Sequence, residues 1–298
     1  MRKILGFFLA LSLTAGTALP QDTPTGITKG GTITLLRTES KIPIGPAVLD
    51  NTMDLFTGGF QISDYTNSTP APSAQVTTIG PCAVVVTDQQ AGSTGVVVTA
   101  LDAGPALNLN GPNGNKQFAA RTSASSIAYG GTLGGGIALP LPGARPPGPL
   151  YLDPGTYTVD NGTGGADIGP FTATLTLPNP TFAWTNPDAN PSIARSTGVD
   201  IQWTGGDPGA KVIIQGVSST TDSSTGKSTG IGSFTCSVDN TGDFFVTPDV
   251  LSILPATTSR AIGTLSVSSG VQASFDARGS DASTFVFQSG GSRTVVYQ

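Results

Sequence analysis

Cys82 and Cys236 are the only cysteines of the chain, and each lies in a predicted strand, one in either half. In an exported protein such a pair meets oxidising conditions, so a disulfide that joins the two halves across a very long loop is one interpretation. Two separate buried thiols that pack as small hydrophobic side chains are the other. No histidine is present to complete a Cys/His zinc site, so we predict no metal ligands and no cofactor.

Acidic and amide side chains cluster between Asp153 and Asp167, where the segment 160–167 reads D-N-G-T-G-G-A-D. Oxygen ligands in a glycine-rich loop suit Ca²⁺, but the order lacks the EF-hand pattern and its bidentate glutamate. A hairpin whose glycines take positive φ accounts for the same residues without an ion. We favour the hairpin and keep calcium as the other interpretation. The glycines are Gly155, Gly162, Gly164 and Gly165.

The sequence contains few of the side chains that general acid–base catalysis uses. It contains no histidine and a single glutamate, Glu39, and its many serines and threonines lack a neighbouring base or a G-x-S-x-G turn. An aspartate-based glycosidase stays formally open, although no aspartate stands in a context that marks it as a buried acid. We predict no catalytic residues and expect that the protein is not an enzyme.

Trp184 and Trp203 lie in predicted strands of the C-terminal half. Exposed tryptophans on a strand can form a platform on which sugars stack. A tryptophan in a β-sandwich more often fills the core, and we favour that interpretation.

The N-terminus has the features of an export signal, with Arg2 and Lys3 followed by an apolar stretch and then small residues. We predict a signal peptide over 1–18 and a flexible leader over 19–31; a buried N-terminal helix is the other interpretation of the apolar stretch. The sequence shows no later membrane span. Fourteen basic against 19 acidic residues give a net charge of −5, which argues against nucleic acid as a partner.

Short runs of alternating apolar and polar residues, separated by glycine and proline, predict an all-β protein. We predict two tandem Ig-like β-sandwich domains, 32–178 and 181–298, divided at Pro178-Asn179-Pro180, where proline interrupts strand hydrogen bonding. A helical turn is expected only at 248–254. The predicted strands are 32–37, 59–63, 75–78, 82–88, 95–101, 106–110, 116–121, 126–129, 150–152, 156–160, 171–177, 182–185, 199–204, 211–217, 232–238, 244–247, 263–268, 271–276, 283–288 and 293–297.

The two halves share a phrase, D-x-G-x-x-φ-x-φ-x-G with φ apolar, at 102–111 and at 207–216. G-x-x-x-V at 155–159 and 242–246, and I-G-x-x at 168–171 and 262–265, follow in the same order. We interpret the shared order as a structural duplication. The other explanation is that β-sandwiches in general use the same sequence patterns for their turns and strands.

The order of several segments resembles a family of secreted acidobacterial proteins of unknown function. These segments are 151–171 (YLDPGTYTVDNGTGGADIGPF), 182–186 (FAWTN), 203–207 (WTGGD), 234–236 (FTC) and 246–251 (VTPDVL). The resemblance covers most of residues 82–298 and implies export and paired Ig-like β-sandwich modules. It implies no catalytic residues.

These observations predict a secreted protein, extracellular or periplasmic, with a non-catalytic structural or protein-interaction role of the cell-surface or matrix type. A carbohydrate-binding module, with or without calcium, is the second hypothesis. The expected partner is an extracellular protein or a glycan.

Overall fold

The computed structural model describes residues 26–44, 47–67, 75–87, 95–123, 126–137, 139, 143, 146–221, 228–257 and 263–298. Within these ranges the protein is nearly all β, as predicted. The predicted signal peptide and residues 19–25 of the leader lie outside the described residues. Residues 27–31 of the predicted leader belong to the first strand instead, where all five pair with the second strand and Gly30 and Gly31 also pair with the last strand.

The described elements, in chain order, are β1 Ile27–Ile44, β2 Ala47–Asp64, β3 Gln75–Ile79, β4 Cys82–Thr87, β5 Val97–Ala100, β6 Ala106–Gly111, β7 Gly114–Thr122, β8 Ile127–Ile137, β9 Gly155–Asp160, β10 Thr172–Leu177, β11 Ala183–Trp184, β12 Ser192–Ile193, β13 Val199–Thr204, β14 Lys211–Thr221, β15 Ser228–Asp239, β16 Asp243–Val246, α1 Pro248–Ile253, β17 Gly263–Ser274 and β18 Ala282–Tyr297. In the described part of the chain, no helix has the length and hydrophobicity that a bilayer span requires.

One large sheet organises the molecule, with the strand order β10-β9-β6-β7-β8-β2-β1-β18-β17-β14-β15-β4-β3. At its centre β1 pairs in parallel with β18, so the first and the last described strands are neighbours. A second sheet, β11-β13-β16, packs against part of the first. Several strands alternate buried and less buried side chains, as half-buried strands do; in β13, for example, Val199, Ile201 and Trp203 point inward.

Two hydrophobic cores lie along the long central strands. Core 1 lies between strands β1, β2, β8 and β18 on one side and β6, β9 and β10 on the other. Core 2 lies between strands β4, β14, β15, β17 and β18 on one side and the β11-β13-β16 sheet on the other, with α1 at its margin. The large sheet therefore supplies both layers of core 1 and one layer of core 2. Strand β18 contributes to both cores, with Phe285 and Phe287 in core 1 and Val295 and Tyr297 in core 2.

The division between the cores does not follow the predicted boundary at 178–181. Residues 178–182 do lead from β10 in core 1 to β11 in core 2. However, Cys82 and Val84, from the predicted first domain, are buried in core 2, whereas Phe285 and Phe287, from the predicted second domain, are buried in core 1. The Ig-like assignment of the two sandwiches stays a prediction.

The first shared phrase makes the same turn contact in both halves, although Gly104 has a positive φ and Gly209 does not. Asp102 Oδ1 accepts a hydrogen bond from the Gly104 N–H, and Asp207 Oδ1 accepts one from the Gly209 N–H, each at 2.7 Å. The strands that follow, β6 and β14, each lie inside the large sheet. The second phrase does not correspond, because β9 pairs with β6 whereas β16 pairs with β13 in the smaller sheet.

Candidate functional site

The strand β3 forms one edge of the large sheet. It pairs with β4 through a tight turn in which Gly80 has a positive φ of 56°. Among the described residues no strand pairs with its outer side. Val76 on this edge is 61% exposed and lies opposite Val85 of β4. The edge therefore exposes an apolar side chain together with backbone groups that can accept another strand.

A disulfide joins Cys82 to Cys236, so the first of the two interpretations of these cysteines holds. Its position is different from the one expected. The two cysteines lie directly opposite each other on the neighbouring strands β4 and β15, and both are buried in core 2. The bridge therefore does not fasten two successive modules together; it fastens the β3–β4 hairpin to the sheet inside one sandwich.

The aspartates of the 153–167 segment bind protein groups. Asp160 Oδ1 accepts hydrogen bonds from the Asn108 side-chain amide at 2.8 Å and from the Gly162 N–H at 3.0 Å. Asp167 Oδ2 accepts one from the Asp102 N–H at 2.8 Å, and Asp153 Oδ2 accepts one from the Asn113 amide. These contacts support the structural interpretation of the segment, which brings the 161–171 connection against residues 102–104.

The glycines of that segment fulfil two different requirements. Gly155, Gly162 and Gly164 have positive φ, as predicted. Gly165 does not, and the prediction was wrong for this residue. A Cβ at Gly165 would overlap the backbone of Gly104, so glycine is needed there because two backbone segments approach closely.

Trp184 and Trp203 are core residues. They are a cross-strand pair on β11 and β13 and are 5% and 2% exposed. Each indole N–H donates to an asparagine side chain, Trp184 to Asn186 at 2.9 Å and Trp203 to Asn240 at 2.6 Å. The structure therefore offers no exposed platform at these tryptophans.

Asp54 is the one carboxylate among the described residues that is fully buried. Its two oxygens bind Arg37 Nε and Nη2 at 2.8 Å each, and Oδ2 also accepts the backbone N–H groups of Tyr151 and Leu152 at 2.6 and 2.8 Å. The hydrogen bond to Asp54 raises the pKa of Arg37. Two of these four donors belong to the irregular segment before β9, so the carboxylate holds that segment against β2.

A groove of about 380 Å³ lies on the solvent-facing side of β6, β7 and β9. We call its lining the amide face: Asn108, Asn110, Asn115, Lys116, Gln117 and Asp160. In the first row of this face, Gln117 Nε2 donates to Asn108 Oδ1 at 2.9 Å and Asn108 Nδ2 donates to Asp160 Oδ1. In the second row, Asn110 lies opposite Asn115 on one side and Thr158 on the other.

Sequence reasoning missed the amide face, although the signal was present. In A-L-N-L-N-G over 106–111 the leucines Leu107 and Leu109 alternate with asparagines, so that Asn108 and Asn110 share the opposite side of the strand. The register of β6 against β7 and β9 could not be read from this pattern. That register is what places the polar side chains of three strands together.

Comparisons with known proteins add no relationship. No protein-family model and no curated protein matches the chain. Among solved structures, the yeast delta-COP-I mu-homology domain complexed with a Dsl1 WxWxV peptide matches 92% of this chain and 100% of its own at 10% identity, with a TM-score of 0.22. The yeast delta-COP-I mu-homology domain by itself matches 93% and 100% at 10% identity, with a TM-score of 0.21. These scores support no argument about this protein.

Proposed function

We propose that the protein is a secreted, non-catalytic structural protein that associates with a second copy of itself through the β3 edge. The observation that supports this proposal is the exposed valine at 76 on a strand with no pairing partner on its outer side among the described residues. Exposed strand edges pair readily with other strands, and adding a strand to an edge is a common mode of association.

The composition of the edge favours pairing. Soluble proteins usually protect an edge strand with lysine, proline or a bulge. The sequence of β3 is Q-V-T-T-I and that of β4 is C-A-V-V-V-T, so neither strand carries a charge or a proline. A protein with a net charge of −5 therefore has an uncharged surface at this edge, where two copies can meet without like-charge repulsion.

A second copy fits the edge geometrically. If two β3 strands pair antiparallel about Thr77, Val76 of each copy lies opposite Thr78 of the other. Such an interface is symmetric and closed, as in most homodimers. The opposite edge of the sheet, β10, is a poorer candidate because its exposed residues are all threonines and its apolar residues are buried in core 1.

The disulfide keeps this edge in place and indicates the compartment. It links β4 to β15, so the hairpin that carries the edge stays attached to core 2. Disulfides persist in oxidising compartments. This supports an extracellular or periplasmic location, in agreement with the N-terminal sequence.

Sedimentation velocity over a wide concentration range tests the proposal. We expect the wild type to form dimers reversibly and Val76→Lys to remain monomeric, because the two lysines would lie at diagonal positions on either side of the two-fold axis and repel each other. Val97→Lys is the matched control, since Val97 is also 61% exposed but lies on β5. This control should form dimers as the wild type does. A wild type that stays monomeric, or a Val76→Lys variant that still forms dimers, would refute the proposal.

A further inference from the structure

We propose that the amide face is a binding site for neutral, polyhydroxylated carbohydrate and that it works without calcium. This inference is independent of association at the β3 edge, because β3 and the strands of the amide face lie toward opposite ends of the large sheet.

The lining of the groove determines the chemical class of its ligand. All six lining residues are polar, and four of them carry a primary amide. An amide offers two N–H donors and a carbonyl acceptor, and a sugar hydroxyl can both donate and accept. A polyhydroxylated surface can therefore hydrogen-bond to the four amides and to Asp160, whereas an apolar ligand would leave those groups without partners.

Part of the face is ordered before any ligand arrives. The hydrogen bonds from Gln117 to Asn108 and from Asn108 to Asp160 hold three side chains in one row. Ordered side chains lose less conformational entropy on binding. Since strands lie about 4.8 Å apart, the row from β7 through β6 and β9 to Thr172 on β10 spans roughly 14 Å.

Other groups on the face retain hydrogen-bonding capacity. Neither Asn110 nor Asn115 makes a side-chain hydrogen bond to another described residue. Asp160 accepts both of its hydrogen bonds on Oδ1, so Oδ2 is available to a hydroxyl donor. The threonines Thr158 and Thr174 continue the second row with two hydroxyl groups.

The charge of the face favours a neutral ligand. Asp160 is the charged side chain on this side of the strands, because Lys116 lies opposite the buried Leu109 and its side chain therefore projects from the other side of β7. Lys116 Nζ also lies 5.1 Å from the centre of the Tyr151 ring, which stabilises the ammonium group through a cation–π contact. A polyanion would meet the carboxylate of Asp160 on a chain of net negative charge, which disfavours electrostatic binding.

Calcium is not required by this geometry. Asp160 uses one oxygen to order Asn108 and the Gly162 N–H, while Asp153 and Asp167 bind other protein donors. In the described part of the chain, no three acidic, histidine or cysteine side chains converge as a metal site. The carbohydrate would instead contact the amides directly.

Affinity electrophoresis of the full protein tests the inference, in native gels that contain hydroxyethylcellulose, galactomannan, mixed-linkage β-glucan or dextran. We expect retardation by at least one of these neutral polysaccharides, equal with calcium and with a chelator. Asn110→Ala/Asn115→Ala should weaken the affinity at least tenfold, which corresponds to about 1.4 kcal/mol. The control Gln61→Ala/Gln272→Ala removes two exposed strand amides outside the face and should bind as the wild type does.

Three results would overturn the inference: no retardation in any of the four gels, equal retardation of the Asn110/Asn115 variant, or binding that a chelator abolishes. A thermal melt of each variant shows that it is folded. Val76→Lys should bind polysaccharide as the wild type does, because Val76 lies outside the amide face. A wild type that is monomeric but retarded by polysaccharide would refute edge association and support binding at the amide face.

Discussion

At each core, one side chain of the large sheet is bonded to a segment that is distant in sequence, but the kind of bond differs between the two cores. In core 1, Asp54 on β2 binds the backbone at Tyr151 and Leu152. In core 2, Cys236 on β15 is bonded to Cys82 on β4. The core 1 segment has no regular secondary structure, so its N–H groups need acceptors. The core 2 segment is a strand whose own ladder satisfies its backbone. The unpaired backbone at Tyr151 and Leu152 therefore accounts for the buried acceptor at core 1, whereas the paired backbone of β4 needs no such acceptor at core 2.

The largest effect is expected where a buried charge would lose its partner. Asp54→Ala should destabilise the protein by about 3–5 kcal/mol, because it leaves Arg37, whose side chain is 12% exposed, unpaired and two backbone N–H groups without acceptors. Urea unfolding measures the loss. Asp50→Ala on the same strand is the control: its side chain is 77% exposed, and the change should stay within about 0.5 kcal/mol.

The same experiment examines how far the cores are independent. Both tryptophans lie in core 2, so their fluorescence reports on that core alone, whereas far-ultraviolet circular dichroism reports on all strands. Because β18 contributes to both cores, we expect the two signals to change together in Asp54→Ala. Tryptophan fluorescence that keeps the wild-type midpoint while the circular dichroism midpoint falls would show that the cores unfold separately.

The disulfide should contribute less than the buried charge pair. Cys82→Ala/Cys236→Ala is expected to lower the free energy of unfolding by about 2–4 kcal/mol, since the bridge closes a long loop in the unfolded chain. Reduced wild type should lose a similar amount. If reduction leaves the unfolding midpoint where it was, the β3–β4 hairpin is held by its strand pairing alone.

Smaller effects are expected at two glycines that end the shared phrase. A Cβ at Gly111 would overlap the Tyr157 ring in core 1, and a Cβ at Gly216 would overlap the Phe234 ring in core 2. Each change to alanine should cost about 1–3 kcal/mol through overpacking. Gly59→Ala is the control, because no atom lies within 4 Å of its Cβ position and φ is not positive there. Equal stability of Gly111→Ala and Gly59→Ala would contradict this account of the phrase.

Local features of the fold could be predicted from the sequence where a single strand or turn determines them. The alternation in 199–204 predicts β13 with its observed bounds, and 248–254 predicts α1 to within one residue. The N-terminal part of β2 was missed because Asp54 occupies an inward position, where the pattern calls for an apolar residue. Its partner Arg37 and the N–H groups it binds are remote in sequence.

Long-range pairing could not be predicted for the same reason. Nothing in the local pattern of β1 or β18 indicates that they pair in parallel, and this pairing is what joins the two cores in one sheet. The two partners of the disulfide could be named because only two cysteines exist, although the sequence left the bridge itself open. Its place within one sandwich could not, because that depends on β4 lying beside β15.

The smallest effect should appear only at alkaline pH, and it should differ between the cores. Burial raises the pKa of Tyr129, Tyr151 and Tyr157 in core 1 and of Tyr297 in core 2. The unfolded state loses these protons near pH 10 while the folded state keeps them. Their contribution to stability is therefore complete below pH 10 and declines as the pH rises toward the folded-state pKa values.

Urea unfolding at a series of pH values from neutral to alkaline measures this decline. Tyr157→Phe and Tyr297→Phe should each make the decline of stability with pH less steep. Three of the four tyrosines lie in core 1, so a variant with phenylalanine at 129, 151 and 157 should remove most of the decline. Tyr157→Phe also loses hydrogen bonds to the carbonyl oxygens of Tyr151 and Asp153 at every pH, so the slope against pH is the quantity to compare. In the native protein, absorbance near 295 nm should show these four tyrosines ionising only with unfolding. If they ionise near pH 10 in the folded state, then burial does not hold their protons.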